Sequence, residues 1–342
     1  MKKFTFFVLI IALALTPVTM VFASGSGESD VARHAFIFKN TGNPYGDKQM
    51  EGFQEAIEEQ GFEAILRAPD QPTAEAQIQI IDQLISQRVA SISITGNDFD
   101  ALEPALTRAM DEGIVVLSAD SAVNPDSRMT HINQADSEMI GRTLIQAAYD
   151  MADGAGEIAI LSATSQASNQ NLWIEWMQTE LEENPDKYAD LELVRIAYGD
   201  DLRDKSVSET EGLLQSFPDL EVIIAPTTVG IAAAGRVITD RGLIGEVDVT
   251  GLGLPSEMAE YIENGACPYM FLWNPIDVGY LTGFAATAAV DGDITGAAGE
   301  TFSAGRLGEF EIVPAGDGGT EVLLGAPFRF DPDNIAEWKD VY

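Results

Sequence analysis

Cysteine occurs once in the 342 residues, at Cys267, and histidine twice, at His34 and His131. A lone thiol builds neither a disulfide framework nor a cysteine metal cluster. The two histidines lie far apart in sequence without the spacing of a metal site, so no metal or cofactor is expected. Positive charge is also scarce: 19 Lys and Arg stand against 55 Asp and Glu, a net charge of −36. Nucleic-acid phosphates need basic neutralisation, so a nucleic-acid partner is excluded. A surface that holds anionic lipid is excluded for the same reason. No G-x-S-x-G elbow or P-loop occurs, and no G-x-G-x-x-G follows a strand. The acids are spread along helix faces and not gathered in a tail, which describes a solvated, self-repelling surface.

What is present begins with a leader. Lys2 and Lys3 precede an apolar run over residues 4–21, broken by Thr16 and Pro17, and Val21-Phe22-Ala23 offers a small-x-small cleavage site before Ser24. Residues 1–23 are expected to be a cleaved signal peptide and 24–31 a flexible leader, placing the protein in the periplasm. Retention as an anchor is the alternative, since roughly 20 apolar residues span a bilayer. No cysteine stands at the cleavage site to carry a lipid, and no later run is long and apolar enough to insert.

Beyond the leader, short β-rich runs alternate with helical ones. Strands are expected at 34–38, 62–68, 90–95 and 114–118, with helices at 48–61, 73–88 and 101–112 between them. Gly61 and Gly113 sit just past helix ends, where a left-handed residue is wanted. The pattern restarts with strands at 157–162, 191–198, 222–225, 248–252 and 268–273 and helices at 171–183, 205–216 and 231–241. Short strands, apolar on both faces and each followed by a helix, make parallel sheets covered on both sides. The expected fold is α/β, with two doubly wound parallel-sheet lobes. A stretch at 130–134 leads from the first set to the second. A helix at 278–290 returns, and 307–313 with 321–324 form a terminal hairpin-like pair. Such repeated crossing makes a multi-strand hinge. The lobes are drawn as 32–133 with 275–305, and 134–274 with 306–342 including hinge strands.

In open parallel sheets ligands bind beyond the carboxyl ends of the strands. Those loops carry Lys39, Asn40, Asn43 and Tyr45; Asn97 and Asp98; Asp120; Asn169, Gln170 and Trp173; Pro226 and Thr228; Leu254; and Trp273. Amides, a lysine and carboxylates satisfy hydroxyls that both donate and accept, while aromatic faces pack against the C–H face of a sugar ring. Each residue also has a plainer role, as a cap, a turn or a core side chain. Asp98 and Asp120 leave open a glycosidase-like carboxylate pair. Asp291-Gly292-Asp293 lacks the later ligands of a calcium loop and reads as a turn.

The loops together resemble the periplasmic sugar-binding proteins of ABC transporters, in the ribose-binding-like type I class. Within that class they are similar to the rhamnose-binding subfamily, kin of receptors for the furanose-derived type-2 autoinducer. The resemblance is carried by Phe38-Lys39-Asn40-Thr41-Gly42-Asn43-Pro44-Tyr45, Thr73-Ala74-Glu75 with Gln77, and Ile132-Asn133-Gln134-Ala135-Asp136. It continues through Asn169-Gln170-Asn171 with Trp173, Ile224-Ala225-Pro226-Thr227-Thr228, Leu272-Trp273-Asn274-Pro275 and Ala304-Gly305-Arg306-Leu307-Gly308. It implies a monomeric, non-enzymatic protein that closes on a small sugar and delivers it to an inner-membrane ABC permease. Lys39 and Asp120 match the lysine and aspartate with which autoinducer receptors hold their ligand. The receptors' Asp-Gln pair is here Asn169-Gln170, and their proline and alanine are here Pro226 and Thr228. The loss of a carboxylate and the gain of a hydroxyl tilt the expected ligand toward L-rhamnose or a related deoxyhexose. The alternatives are an autoinducer-2 or pentose receptor and an exported sugar-active enzyme. A DNA-binding repressor of the same sensor fold would need a helix-turn-helix where the leader stands.

Overall fold

The computed structural model describes Met1 and residues 31–342, so the expected signal peptide and nearly all of the leader lie outside the described residues. The first strand, β1 (Arg33–Ile37), shows how the sequence builds a two-faced sheet. Phe36 is buried in one apolar cluster, while Ala35 and Ile37 are buried in another. Alternate side chains point to opposite faces, so a strand that is apolar throughout needs helices on both sides.

Those helices follow in order: α1 (Pro44–Glu59), β2 (Glu63–Arg67), α2 (Ala74–Gln87), β3 (Ser91–Ile94), α3 (Glu103–Asp111), β4 (Val115–Ala119) and β5 (His131–Asn133). Helix α1 starts four residues earlier than its apolar period suggests. Asn43 accepts the Tyr45 N–H at 3.1 Å, and Pro44 occupies the first turn, where its missing N–H costs nothing. Thr73 caps α2 in the same way. Gly61 and Gly113 adopt φ of 83° and 81°, the left-handed geometry expected of them. Ile81 and Leu84 of α2 and Leu106 of α3 cover the face that carries Ala35 and Ile37. Burying each such side chain contributes about 2 kcal/mol.

The second set comprises α4 (Ser137–Met151), β6 (Gly156–Ser162), α5 (Ser168–Glu183), β7 (Leu191–Tyr198), α6 (Arg203–Ser216), β8 (Leu220–Ala225), α7 (Thr228–Arg241), β9 (Asp248–Gly251), α8 (Pro255–Glu263) and β10 (Met270–Leu272). Helices α4 and α8 have no counterpart among the helices expected from periodicity. Helix α4 carries its own start signal, since Asp136 accepts the Met139 N–H at 2.8 Å and Ile140, Leu144 and Ile145 then turn inward. After these come α9 (Pro275–Asp291), β11 (Thr301–Ser303), β12 (Glu309–Glu311), β13 (Val313–Pro314), β14 (Thr320–Leu323), β15 (Phe328–Phe330) and α10 (Ile335–Trp338).

Two main sheets result, ordered β13-β14-β5-β4-β3-β1-β2 and β7-β6-β8-β9, beside the two-stranded antiparallel pairs β10-β15 and β11-β12. Within the two main sheets every pairing is parallel except β13 on β14, which is an antiparallel hairpin. A parallel bridge between Leu252 and Phe271 sets β10 beside the second sheet, and β15 pairs antiparallel with β10. Residues 306–342 therefore divide: β13 and β14 extend the first sheet, and β15 joins β10. The chain passes between lobes three times, from β5 to α4, from β10 to α9 and from β14 to β15. Three crossings side by side make a hinge.

Helix α9 is the return. It lies along α1 so closely that a Cβ on Gly279 would sit 1.8 Å from the Gln49 carbonyl oxygen, and one on Gly52 1.9 Å from the Ile276 carbonyl oxygen. Paired glycines let two backbones touch, and they fix the first lobe to the segment leaving the second. Among the described residues no helix is long and apolar enough to cross a membrane.

Candidate functional site

Six strand ends and the N-termini of α1, α5 and α7 converge on one cavity. From the first lobe come Phe38, Lys39, Asn43, Tyr45 and Asp120; from the second, Asn169, Gln170, Trp173, Asp201, Pro226, Thr227, Thr228 and Leu252. Leu272 and Trp273 line it from the hinge. The remaining space is about 30 Å³, room for a water or two and too little for a hexose. A hexose fits this space only if its walls move apart.

Asn169 knits the two lobes. Its Oδ1 accepts from Lys39 Nζ at 3.3 Å and Ser121 Oγ at 2.9 Å, and its Nδ2 donates to Asp120 Oδ1 at 3.3 Å. Two of these contacts are long and weak, the kind that a ligand hydroxyl displaces at small cost. The Trp273 indole N–H donates to Tyr45 Oη at 2.7 Å, and the rings of Trp173 and Trp273 meet edge-on at 5.9 Å. Phe38 and Tyr45, with centroids 6.3 Å apart, extend this aromatic wall. Two polar atoms of the wall have no protein partner: the Trp173 indole Nε1 and the Gln170 Oε1, both buried. Buried polar groups are nearly always paired, so each is a donor or acceptor held ready for something else.

The electrostatics are uneven. One ammonium, Lys39, faces two carboxylates, Asp120 and Asp201, all nearly inaccessible to water. Burial pushes the Asp120 carboxyl up to about 6, against the pull of Lys39, while Asp201 adds to the rise and the Asn169 hydrogen bond opposes it. Burial raises Asp201 as well, with Lys39 and the Thr227 hydroxyl, which donates to it, working the other way. Burial, then the charge of Asp120, lifts the Tyr45 phenol well above its usual range. Asp120 and Asp201 also hold left-handed backbone, with φ of 63° and 53°. Such geometry costs a non-glycine residue on the order of 1 kcal/mol and persists where the surroundings require it.

Four residues singled out from the sequence lie elsewhere. Asn97 stands behind the site, donating to the Lys39 carbonyl at 2.8 Å and so bracing the strand end that carries the lysine. Asp98 Oδ1 accepts the N–H groups of Asp100 and Ala101, which makes it a turn residue and leaves the Asp98–Asp120 pair unassembled. Asn40 Nδ2 donates to the neighbouring Thr41 carbonyl at 3.3 Å, and Leu254 is a core side chain. Leu252 and Leu272 supply the aliphatic contact instead. Asp201, Thr227 and Phe38 join the site without having been expected as ligand residues, although Phe38 and Thr227 stand in motifs that carry the family resemblance. Asp201 has a findable signal, because Gly199-Asp200-Asp201 directly follows a strand whose bounds the sequence marks, and the strand-end rule applies there too.

The histidines are structural. His34 Nδ1 lies 2.9 Å from Ser91 Oγ, and His131 Nδ1 lies 2.9 Å from Ser118 Oγ. Burial lowers them to about 4 and about 3, so both are uncharged. Cys267 is buried, its thiol held well above its normal range by burial and by Asp248.

Comparison with known proteins agrees with this architecture. Residues 34–294 match the periplasmic binding protein domain. An ABC transporter solute binding protein from Clostridium phytofermentas, solved with bound L-rhamnose, is 49% identical over 91% of this chain and 99% of its own, with a TM-score of 0.89. LsrB from Clostridium saccharobutylicum in complex with AI-2 is 22% identical over 90% of this chain and 99% of its own, with a TM-score of 0.84, a likeness of fold. The D-ribose/D-allose-binding protein of Pseudomonas aeruginosa is 23% identical over 64% of this chain and 70% of its own. The Clostridium phytofermentas and Pseudomonas aeruginosa relatives are named as binding proteins and not as enzymes. The chain belongs to the periplasmic binding protein family, as a sugar-binding component of an ABC transporter with the type I two-lobed fold.

Proposed function

We propose that the protein captures L-rhamnose, or a closely related neutral deoxyhexose, between its lobes and presents the closed form to an ABC permease in the inner membrane. The observation that carries this reading is the pairing of unpartnered Trp173 Nε1 and Gln170 Oε1 with Lys39, Asp120 and Asp201 around one aromatic-walled space. A sugar ring offers hydroxyls to the polar atoms and C–H faces to the rings. A deoxy sugar adds a methyl group, for which Leu252, Leu272 and Phe38 give apolar contact. The L-rhamnose bound by the 49%-identical relative supports the same choice. Lys39, Asp120, Asn169, Gln170, Asp201 and Thr228 hold hydroxyls in this reading, and Asn43, Tyr45, Trp173, Pro226 and Trp273 shape the wall.

Closure is favoured because contacts to both lobes exist together only in the closed state. Asn169 stands where the autoinducer receptors carry an aspartate, so the donors and acceptors that meet the ligand hydroxyls differ from theirs. Isothermal calorimetry with L-rhamnose, L-fucose, D-ribose and autoinducer-2 tests the proposal. Binding of L-rhamnose at least tenfold tighter than of the others is expected. No heat with either deoxyhexose, or a preference for autoinducer-2, refutes it.

A further inference from the structure

A second, larger cavity of about 630 Å³ adjoins the first, and Asp120 and Asn169 line both. It lies between the α5 face that carries Leu172 and Trp176, the β3 loop with Phe99, and the hinge at Gln134. The two shared side chains are joined by a 3.3 Å hydrogen bond from Asn169 Nδ2 to Asp120 Oδ1. A sugar that takes hydrogen bonds from these two side chains competes with that contact where both chambers meet.

The second chamber has a definite chemistry. Leu172 is exposed, and Trp176 and Phe99 are partly so, leaving apolar and aromatic surface for a ring. Gln134 is fully buried at the chamber's inner end, and neither its Nε2 nor its Oε1 has a partner. An amide with both ends unsatisfied is an anchor for a group that donates and accepts at once, as a hydroxyl does. No lysine or arginine lines the chamber among the described residues, whereas Asp136, Glu175 and Glu321 do. Two other acids there are already engaged: Glu138 pairs with Arg142 at 2.8 Å, and Asp317 with Arg128 at 2.6 Å. An anionic occupant would meet unbalanced negative charge on every side.

We propose that the second chamber receives the aglycone of a neutral glycoside whose sugar sits in the first chamber. The ligand range then extends from the free deoxyhexose to its neutral glycosides and excludes its uronides. This rests on the deoxyhexose reading of the first chamber.

Calorimetry on the purified protein with L-rhamnose, methyl α-L-rhamnoside, p-nitrophenyl α-L-rhamnoside and a rhamnosyl-galacturonate disaccharide tests it. The aryl glycoside is expected to bind at least as tightly as the free sugar, and the uronide on the order of a hundredfold more weakly. Trp176→Ala is expected to weaken the aryl glycoside about tenfold while leaving L-rhamnose unchanged. Leu172→Ser, at an exposed site that leaves the fold intact, is expected to act in the same direction. Binding of L-rhamnose with both neutral glycosides weakened a hundredfold overturns the second chamber alone. So does aryl-glycoside binding that neither substitution alters. Absence of binding by the free sugar and glycosides alike refutes the deoxyhexose reading, and this proposal with it.

Discussion

Replacing Asp120 by Asn should strengthen the empty fold and ruin ligand capture, and the two effects can be separated by pH. Asp120 is almost wholly buried, and its carboxyl is pushed up to about 6 from an ordinary value of 3.8. A raised carboxylate stabilises the fold fully below pH 3.8 and loses that contribution as pH rises through 6. At neutral pH its charge therefore costs about 3 kcal/mol, because each tenfold change in proton affinity is worth about 1.4 kcal/mol. Asn removes that cost but places an amide donor beside Lys39, which also loses an anion, so a net gain of about 1–2 kcal/mol is expected at pH 7. Binding should fall about a hundredfold, since a hydrogen bond to a charged group is worth roughly 1.5–3 kcal/mol.

The absolute pH profile is the wrong readout, because His131 also titrates. Burial and then Arg128 hold it down at about 3 against 6.5 unfolded, so its contribution is present above pH 6.5 and is lost as pH falls. Between pH 7 and 5 that loss is about 2 kcal/mol, and His34, lowered to about 4, loses a similar amount, so together they mask the gain from Asp120. The difference between variant and parent cancels both. Urea unfolding of both at pH 7 and pH 5 should show the advantage of Asp120→Asn shrinking by about 1 kcal/mol at the lower pH. An advantage that is absent at pH 7, or one that does not shrink, would refute the account of Asp120 as a destabilised group retained for its ligand.

Trp173→Phe removes an indole N–H that has no protein partner and keeps most of the ring, so stability should hold within about 1 kcal/mol while calorimetric affinity falls roughly tenfold. An unchanged affinity would mean that the indole N–H does not face the ligand. Ligand hydroxyls favour the ionised form of Asp120, so affinity should weaken as pH drops below about 6 and binding near pH 6 should release a proton. Calorimetry in buffers of different ionisation enthalpy measures that release, and none detected would count against Asp120 as a ligand group. Gly279→Ala places a Cβ 1.8 Å from the Gln49 carbonyl oxygen, forcing α1 and α9 apart, and should cost about 3 kcal/mol in chemical denaturation. A cost within about 0.5 kcal/mol, the scatter of a surface substitution, would show that the helices adjust freely.

Much of the architecture is local, and local features are legible. Strands such as β1 and β6 announce themselves by β-rich apolar runs, and the helix ends at Gly61 and Gly113 by a residue that tolerates positive φ. Helix α4 escapes because the signal that begins it, Asp136 capping Met139, directly follows a stretch that reads as a connecting strand. Helices α1 and α9 begin earlier than their apolar periods because Asn43 and Asn274 cap them and proline opens each first turn. A hydrophobic pattern marks where a helix needs the core, whereas a cap marks where its hydrogen bonds can begin.

The sequence by itself determined the class of the protein: an excess of acid too large for nucleic acid, alternating strands and helices in two sets, and strand-end loops dense in amides and aromatics. It also placed Lys39, Asp120, Asn169 and Trp173 at strand ends or in a first helical turn, where parallel sheets offer side chains to ligands. Only the tertiary structure decided which of those loops meet. Asp98 and Asp120 follow adjacent strands, yet Asp98 spends its carboxylate on the N–H groups of its own turn while Asp120 turns into the cleft. The second carboxylate of the site is Asp201, from the other lobe, brought opposite Lys39 by three chain crossings. Local sequence sets the conformation of a residue, but its charged neighbours come from distant parts of the chain, and they decide whether a carboxylate caps a turn or waits for a sugar.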